Sequence, residues 1–177
     1  KEINFIKEEI LEINSQNKTI KTNSQNIEFD FLIISTGAVL APQKIPGLVE
    51  NGFNLYDHEQ LLEIRDKLES IESGKIAISI MGMPYKCPPA PFEASLLIDS
   101  MLRKRGVRNS VQIDFYSPAP ITLPAAGPEV SKKILELVNS EKITFHNSCK
   151  IKSVESKKLI FENSEADFDI LLAIPPH

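Results

Sequence analysis

The sequence predicts an α/β fold, a Rossmann-like parallel sheet with an antiparallel β-meander, preceded by a β-rich segment. Three observations carry that reading. From Lys75 onward, apolar patterns of strand type alternate with patterns of helical period. After the last of these come short alternating strands and one closing apolar run. The third observation is that this meander and its closing run occur twice in the 177 residues.

Taken in order, Ile3 to Gly37 reads as short strands, because Ile10, Ile13 and Ile20 alternate with polar residues and Asn14 to Asn17 marks a turn. Phe29 to Ile34 reads as a buried strand. Ala41 to Phe53 carries Pro42, Pro46, Gly47 and Gly52, too much punctuation for a regular element. From Asp57, Leu61, Leu62, Ile64, Leu68 and Ile71 follow helical spacing until Gly74 stops them before the strand Lys75 to Met81. Pro91 opens a second helix, with Phe92, Leu96, Leu97 and Leu102 as its apolar positions and Gly106 as its C-terminal cap. Strand Val111 to Tyr116 follows. A third helix spans Pro128 to Asn139, and strand Ile143 to His146 precedes the meander and the run Phe168 to Ile174. Right-handed crossovers make the first three strands of this region parallel and place a crevice beyond their carboxyl ends.

The repeat aligns at an offset of 140 residues, with Ile3 on Ile143, Lys18 on Lys158, Ile20 on Ile160 and Asn23 on Asn163. One deletion then brings Phe29, Asp30 and Leu32 onto Phe168, Asp169 and Leu171. The first copy lacks a first strand, a glycine turn and helices. It reads as the β-rich remnant of a second nucleotide-binding domain.

Composition narrows the function. A formal charge of −4 and 42% hydrophobic residues suit a soluble globular chain. The longest apolar runs, Phe31 to Ile34 and Ile170 to Ile174, fall far short of the ~20 residues of a membrane-spanning helix. The basic cluster Arg103, Lys104, Arg105 and Arg108 sits at a helix end, where cations complement the dipole, so nucleic acid is not an expected partner. Cys87 and Cys149 are too few for a disulfide scaffold. Together with His146 and His177 they show no metal-ligand spacing, so no metal is expected. No signal peptide is visible, and with Lys1 rather than Met at the start its absence decides nothing. The expected location is cytoplasmic.

A dinucleotide-binding unit needs G-x-G-x-x-G after its first strand, because glycines admit the pyrophosphate and free N–H groups hold it. Here that position reads Gly82-Met83-Pro84-Tyr85-Lys86-Cys87-Pro88-Pro89-Ala90-Pro91, with one glycine and four prolines. Ser117 and Pro118 stand where a carboxylate normally meets the ribose, and Asp114 inside its strand is solvated or hydrogen-bonded. Bound NAD is therefore not expected. The turn presents Cys87 instead, ahead of a helix start and beside Lys86, where positive potential favours the nucleophilic thiolate. Glu93, inside the first turn of that helix, is placed to move protons or to complement its dipole. Cys149, on a meander strand, reads as structural, and His146 as a half-buried packing residue.

The stretch Pro84 to Ala94, PYKCPPAPFEA, resembles the cysteine-bearing turn of sulfide:quinone oxidoreductases and of the flavoprotein subunit of flavocytochrome c sulfide dehydrogenase. Phe29 to Ala38, FDFLIISTGA, is similar to the strand that closes their FAD domain, and Asp169 to His177, DILLAIPPH, to the end of their central domain. The resemblance implies a pyridine nucleotide-disulfide oxidoreductase fold with 1–38 as the C-terminal remnant of an FAD-binding domain, 39–56 as a connector and 57–177 as a central, NAD-binding-like domain. It implies that Cys87 joins a second cysteine beyond His177 to oxidise sulfide or a thiol, with electrons passing to FAD and on to quinone. Thr36 and Gly37 are then the residues near the flavin. On this reading the chain is an inactive, colourless central fragment of an enzyme peripheral to the membrane. Its unpaired strand Phe29 to Ile34 makes it a homodimer through Ile3 to Gly37. The competing readings are a pyridine nucleotide-disulfide reductase or type II NADH dehydrogenase, which should carry an intact glycine fingerprint, and a non-catalytic Rossmann-like binding module in which Cys87 is a filler.

Overall fold

The computed structural model describes residues 3–177. Two compact units make up the chain, Lys1–Gly37 and Ala38–His177.

In the first unit β1 (Ile10–Asn14), β2 (Thr19–Thr22) and β3 (Asn26–Glu28) form an antiparallel meander. The Asn14 side chain accepts the Asn17 N–H at 2.9 Å to turn the chain, and Lys18 enters β2 with a left-handed φ of 51°. The run Phe29 to Ile34, expected as a buried strand, is not one. It is coil, with Phe31 94% and Ile33 90% exposed, because no strand of this unit pairs with it among the described residues. A lone extended segment leaves its N–H and C=O groups to water, and no sheet forms.

The second unit opens with a 3-10 turn at Pro42–Lys44 and α1 (Leu48–Asn51), then β4 (Phe53–Asn54), α2 (Leu61–Ser70) and β5 (Gly74–Ile80). There follow α3 (Ala90–Lys104), β6 (Val111–Tyr116), α4 (Gly127–Ser140) and β7 (Ile143–His146). A meander of β8 (Ile151–Glu155), β9 (Lys158–Phe161) and β10 (Glu165–Asp167) leads to β11 (Ile170–Ile174). The main sheet has the order β4-β11-β5-β6-β7, and every pair in it is parallel.

The stretch 39–56, expected as a connector without regular structure, therefore holds a helix and a strand. Its punctuation serves close approach. Gly47, at a left-handed φ of 75°, lies so near β8 that an added Cβ would overlap the Val154 carbonyl, and Val154 donates its N–H to Pro46 at 2.9 Å. Leu48 is buried beside the meander, and Phe53 and Asn54 register with Leu172 and Ala173.

Strands buried on both faces need apolar side chains on both. Ile76, Ile78 and Ile80 of β5, with Ile113, Phe115, Leu172 and Ile174, pack under Ile64 and Leu68 of α2, Phe92, Ile98 and Leu102 of α3 and Val138 of α4. On the other face Ala77, Tyr116, Leu171 and Ala173 meet Val154, Leu159 and Phe161 of the meander and Leu48 of α1. The result is three layers: helices, sheet, meander. Ser79, fully buried on β5, has a hydroxyl with no hydrogen-bond partner among the described residues.

The two meanders are one design. Both first hairpins carry a register shift at the same point, at Ile10/Glu12 and at Ile151/Ser153, and Lys18 and Lys157 share the left-handed turn. Phe29 and Phe168 each donate to that lysine's carbonyl, at 3.0 Å in both copies. The pairing corrects the expected offset of 140. It is 141 in the first strand, Ile10 matching Ile151, and 139 from Thr19 and Lys158 onward, since the turn Ser15–Lys18 is two residues longer than Ser156–Lys157.

The basic cluster is tied down rather than displayed. Buried Arg108 pairs with Asp99 of α3 and donates to the carbonyls of Val111, Glu141 and Lys142 at 2.7 to 3.0 Å. Arg103 meets Asp99 at 2.6 Å and Glu141 at 2.9 Å, and Arg105 meets Glu72 at 2.9 Å. Burial pushes the Asp99 carboxyl up, but the hydrogen bonds from Arg103 and Arg108 outweigh it and hold the group below the ordinary carboxylate range.

Two outcomes are expected. Gly47→Ala adds a clash to the backbone strain of about 1–2 kcal/mol that a left-handed residue carries. Gly106→Ala, at φ 77° in open space, adds the strain alone. Urea unfolding should rank Gly47→Ala as the less stable by about 1 kcal/mol or more. The depressed Asp99 supplies stability that is present above its unfolded-state pKa of about 3.9 and is lost as pH falls through the lower folded value. Asp99→Asn should flatten this acid limb in melting curves while costing about 3–5 kcal/mol at neutral pH, because Arg108 is left buried without its counter-charge.

Candidate functional site

β5 runs between β11 and β6 and leaves the sheet at Ile80, so whatever follows it emerges at the carboxyl edge. The chain first hugs β11. The Met81 N–H donates to Ile174 at 2.9 Å, and a Cβ on Gly82 would stand 3.3 Å from Pro176. The turn then swings outward through Pro84 to buried Tyr85, whose hydroxyl donates to the Pro88 carbonyl at 3.0 Å. Cys87 stands exposed with a left-handed φ of 53°, and its carbonyl accepts the Ala90 N–H at 3.0 Å as α3 begins. Phe92, packed on Phe115 with ring centroids 4.5 Å apart, anchors the helix start.

A phenol from another element closes the turn. Tyr56, two residues beyond β4, donates its hydroxyl to the Lys86 carbonyl at 2.5 Å and reaches that of Cys87 at 3.3 Å. Burial, and after it the nearness of Cys87, pushes both the Tyr56 and Tyr85 phenols up to about 12, so each stays a proton donor at neutral pH. Lys86 and Glu93 are exposed, and Glu93 has no side-chain hydrogen bond or ion pair among the described residues. The structure does not bring Glu93 and the Cys87 sulfur together through any bond.

The start of α3 offers no pyrophosphate cradle. Pro88, Pro89 and Pro91 have no N–H, while those of Ala90, Phe92 and Glu93 already donate to the carbonyls of Cys87 and Pro89.

On the neighbouring strand, Asp114 takes the hydrogen-bonded one of its two expected states: it is 4% exposed, and the ring nitrogen Nε2 of His146 lies 2.7 Å from its carboxylate. His146 also stacks on Tyr116, centroids 4.5 Å apart, so it is a half-exposed side chain held by a carboxylate and a ring. The pair escaped the sequence because its members are 32 residues apart on neighbouring strands. The signal was an acidic residue within a buried run. Cys149 packs at the rim of the meander-side core and donates its thiol to the Asn147 carbonyl at 3.3 Å; burial pushes that thiol up. His58 and His177 are exposed. Among the described residues no group of three or more His, Cys, Asp or Glu is arranged to hold a metal, and no helix is long and apolar enough to cross a membrane.

Thr36 and Gly37 lie exposed in coil within the first unit, Gly37 at φ 74° with nothing within 4 Å of an added Cβ. These two residues by themselves form no wall and no cradle.

No protein-family model matches the chain. The mitochondrial sulfide:quinone oxidoreductase of Dictyostelium discoideum is 29% identical over 172 residues, covering 91% of this chain and 38% of that protein. The Aquifex aeolicus sulfide:quinone oxidoreductase structure matches with a TM-score of 0.74 at 27% identity, over 97% of this chain and 42% of that one. The type II NADH:quinone oxidoreductase of Staphylococcus aureus is 23% identical over 171 residues. The chain thus spans about 38% of the length of the first of these relatives. Along nine tenths of its length in sequence, and in its fold, this chain is similar to the sulfide:quinone oxidoreductases.

Proposed function

We propose that this chain is the central part of a longer flavin-dependent oxidoreductase of the sulfide:quinone type, and that Cys87 is its sulfur-accepting residue. One observation carries the reading. The place where a dinucleotide-binding sheet presents its pyrophosphate cradle holds an exposed thiol on a proline-stiffened turn. Sulfide or another thiol donor is the substrate class, quinone the acceptor, and FAD the cofactor that accepts electron pairs in the longer protein. The chain's own part is to present Cys87: as a thiolate it attacks a sulfane sulfur of a polysulfide, forming a cysteine persulfide and releasing the donor shortened by one sulfur atom, whereas sulfide itself adds only where Cys87 is already in a disulfide with a second cysteine of the longer protein, whose thiolate then leaves.

Likeness to type II NADH:quinone oxidoreductases supports a second reading, an NADH-oxidising enzyme. Against it stand the missing and engaged N–H groups at the start of α3. The homodimer through Ile3 to Gly37 has no support, since the strand on which it rested is not formed.

Brief treatment with inorganic polysulfide at neutral pH, followed by peptide mass spectrometry, is expected to add one sulfur to Cys87 well before Cys149. The latter thiol is half-buried and pushed up by burial. Iodoacetamide should show the same order, and the difference should vanish in denaturant. Equal modification of both cysteines in the folded chain overturns the assignment. For the cofactor, FAD titrated into this chain is expected to keep its free fluorescence. Quenching at near-stoichiometric protein would mean that these residues hold flavin unaided.

A further inference from the structure

We propose that Tyr56 is the positioning residue of Cys87, its hydroxyl pinning the two carbonyls that hold the cysteine backbone left-handed and its sulfur outward. The inference rests on the reading of Cys87 above and adds a residue that the turn's own sequence does not contain.

A non-glycine residue at φ 53° is strained, and such strain persists only where the surroundings over-determine it. Here the constraints can be counted. The Cys87 carbonyl accepts from Ala90, and the Pro88 carbonyl from Tyr85. Neither bond restrains the peptide ahead of Cys87. Among the described residues Tyr56 alone does so, binding the Lys86 carbonyl at 2.5 Å and reaching that of Cys87 at 3.3 Å. With both carbonyls drawn to one side of the backbone, the tetrahedral Cα directs its side chain to the other, where Cys87 is exposed. The phenol, held protonated to about pH 12, keeps this grip across the range in which a thiol titrates. Tyr56 arrives from the loop between β4 and α2, 30 residues away, so the clamp ties the turn to a different part of the unit.

The test compares wild type, Tyr56→Phe and Tyr85→Phe, in which the rings stay and the donors go. The pH profile of Cys87 alkylation by iodoacetamide is followed to its high-pH plateau, where the thiolate is complete and only presentation limits the rate. Tyr56→Phe is expected to lower that plateau roughly two- to tenfold, the population shift that one net hydrogen bond commands. It should also move the Cα and Cβ carbon shifts of labelled Cys87 out of the left-handed range, while those of Cys149 stay. An unchanged plateau with unchanged shifts overturns the proposal. If Tyr56→Phe is too unstable to assay, Cys87→Gly decides, since glycine adopts the left-handed backbone without strain. The double variant should then recover most of the lost melting temperature, and a double variant as unstable as Tyr56→Phe overturns the proposal. A Cys87 that alkylates as expected yet takes no sulfur from polysulfide removes the sulfur chemistry and leaves the clamp.

Discussion

The larger unit depends on β11 slotting between β4 and β5. A parallel strand is stable only when neighbours on its flanks take its N–H and C=O groups and layers on both faces take its side chains. Ile170 to Ile174 satisfies every part of that requirement: five residues register with Ile76 to Ile80, two with Phe53 and Asn54, and all five side chains are buried. The equivalent run in the first unit, Phe31 to Ser35, follows the same kind of meander and has similar residues. With no flanking strand among the described residues of its unit it remains coil, its aromatic ring in water. The comparison is close to a controlled experiment, because the preceding hairpins share even the position of their register shift.

Once β11 is in place it shapes the candidate site. Its extension brings Pro176 against Gly82 and lets Ile174 receive the Met81 N–H, so the chain leaving β5 cannot fold back over the sheet edge as a glycine-rich cradle does. It rises through prolines instead. Prolines remove donors and restrict the backbone, which disables anion binding and at the same time builds a stiff platform for one side chain. The change that removes backbone donors is thus the one that stiffens the frame around the side chain. The core beneath supports it: Phe92 against Phe115 fixes the helix start, and buried Arg108 with Asp99 fixes the helix end.

Likeness to the sulfide:quinone oxidoreductases and the geometry of the turn are independent supports for one reading. The first comes from 29% identity spread along the chain, the second from hydrogen bonds around Cys87. Asp114 and His146 belong to neither, and Tyr56 belongs only to the second. They are tertiary additions to the carboxyl edge, each reaching it from a separate strand or loop.

The sequence by itself determined the elements whose cause is local. Strands Val111 to Tyr116 and Ile143 to His146 were legible to the residue, and helices α3 and α4 to within two, because apolar period, Pro91 and Gly106 act within a few residues of themselves. So was the disabled cradle, since a proline lacks its N–H wherever it sits. Tertiary structure decided what depends on neighbours distant in the chain. Phe29 to Ile34 has a strand's composition and no partner strand among the described residues. Residues 48–54 have a connector's composition, yet Gly47 lets them approach β8 and β11. The repeat was visible, but its register was not, because scattered identities at offset 140 compete with the pairing at 141 and 139 that hydrogen bonds select. The hold on Cys87 was also hidden. A hydroxyl 30 residues away becomes its neighbour only when β4 joins the edge of the sheet, and no local pattern records that event.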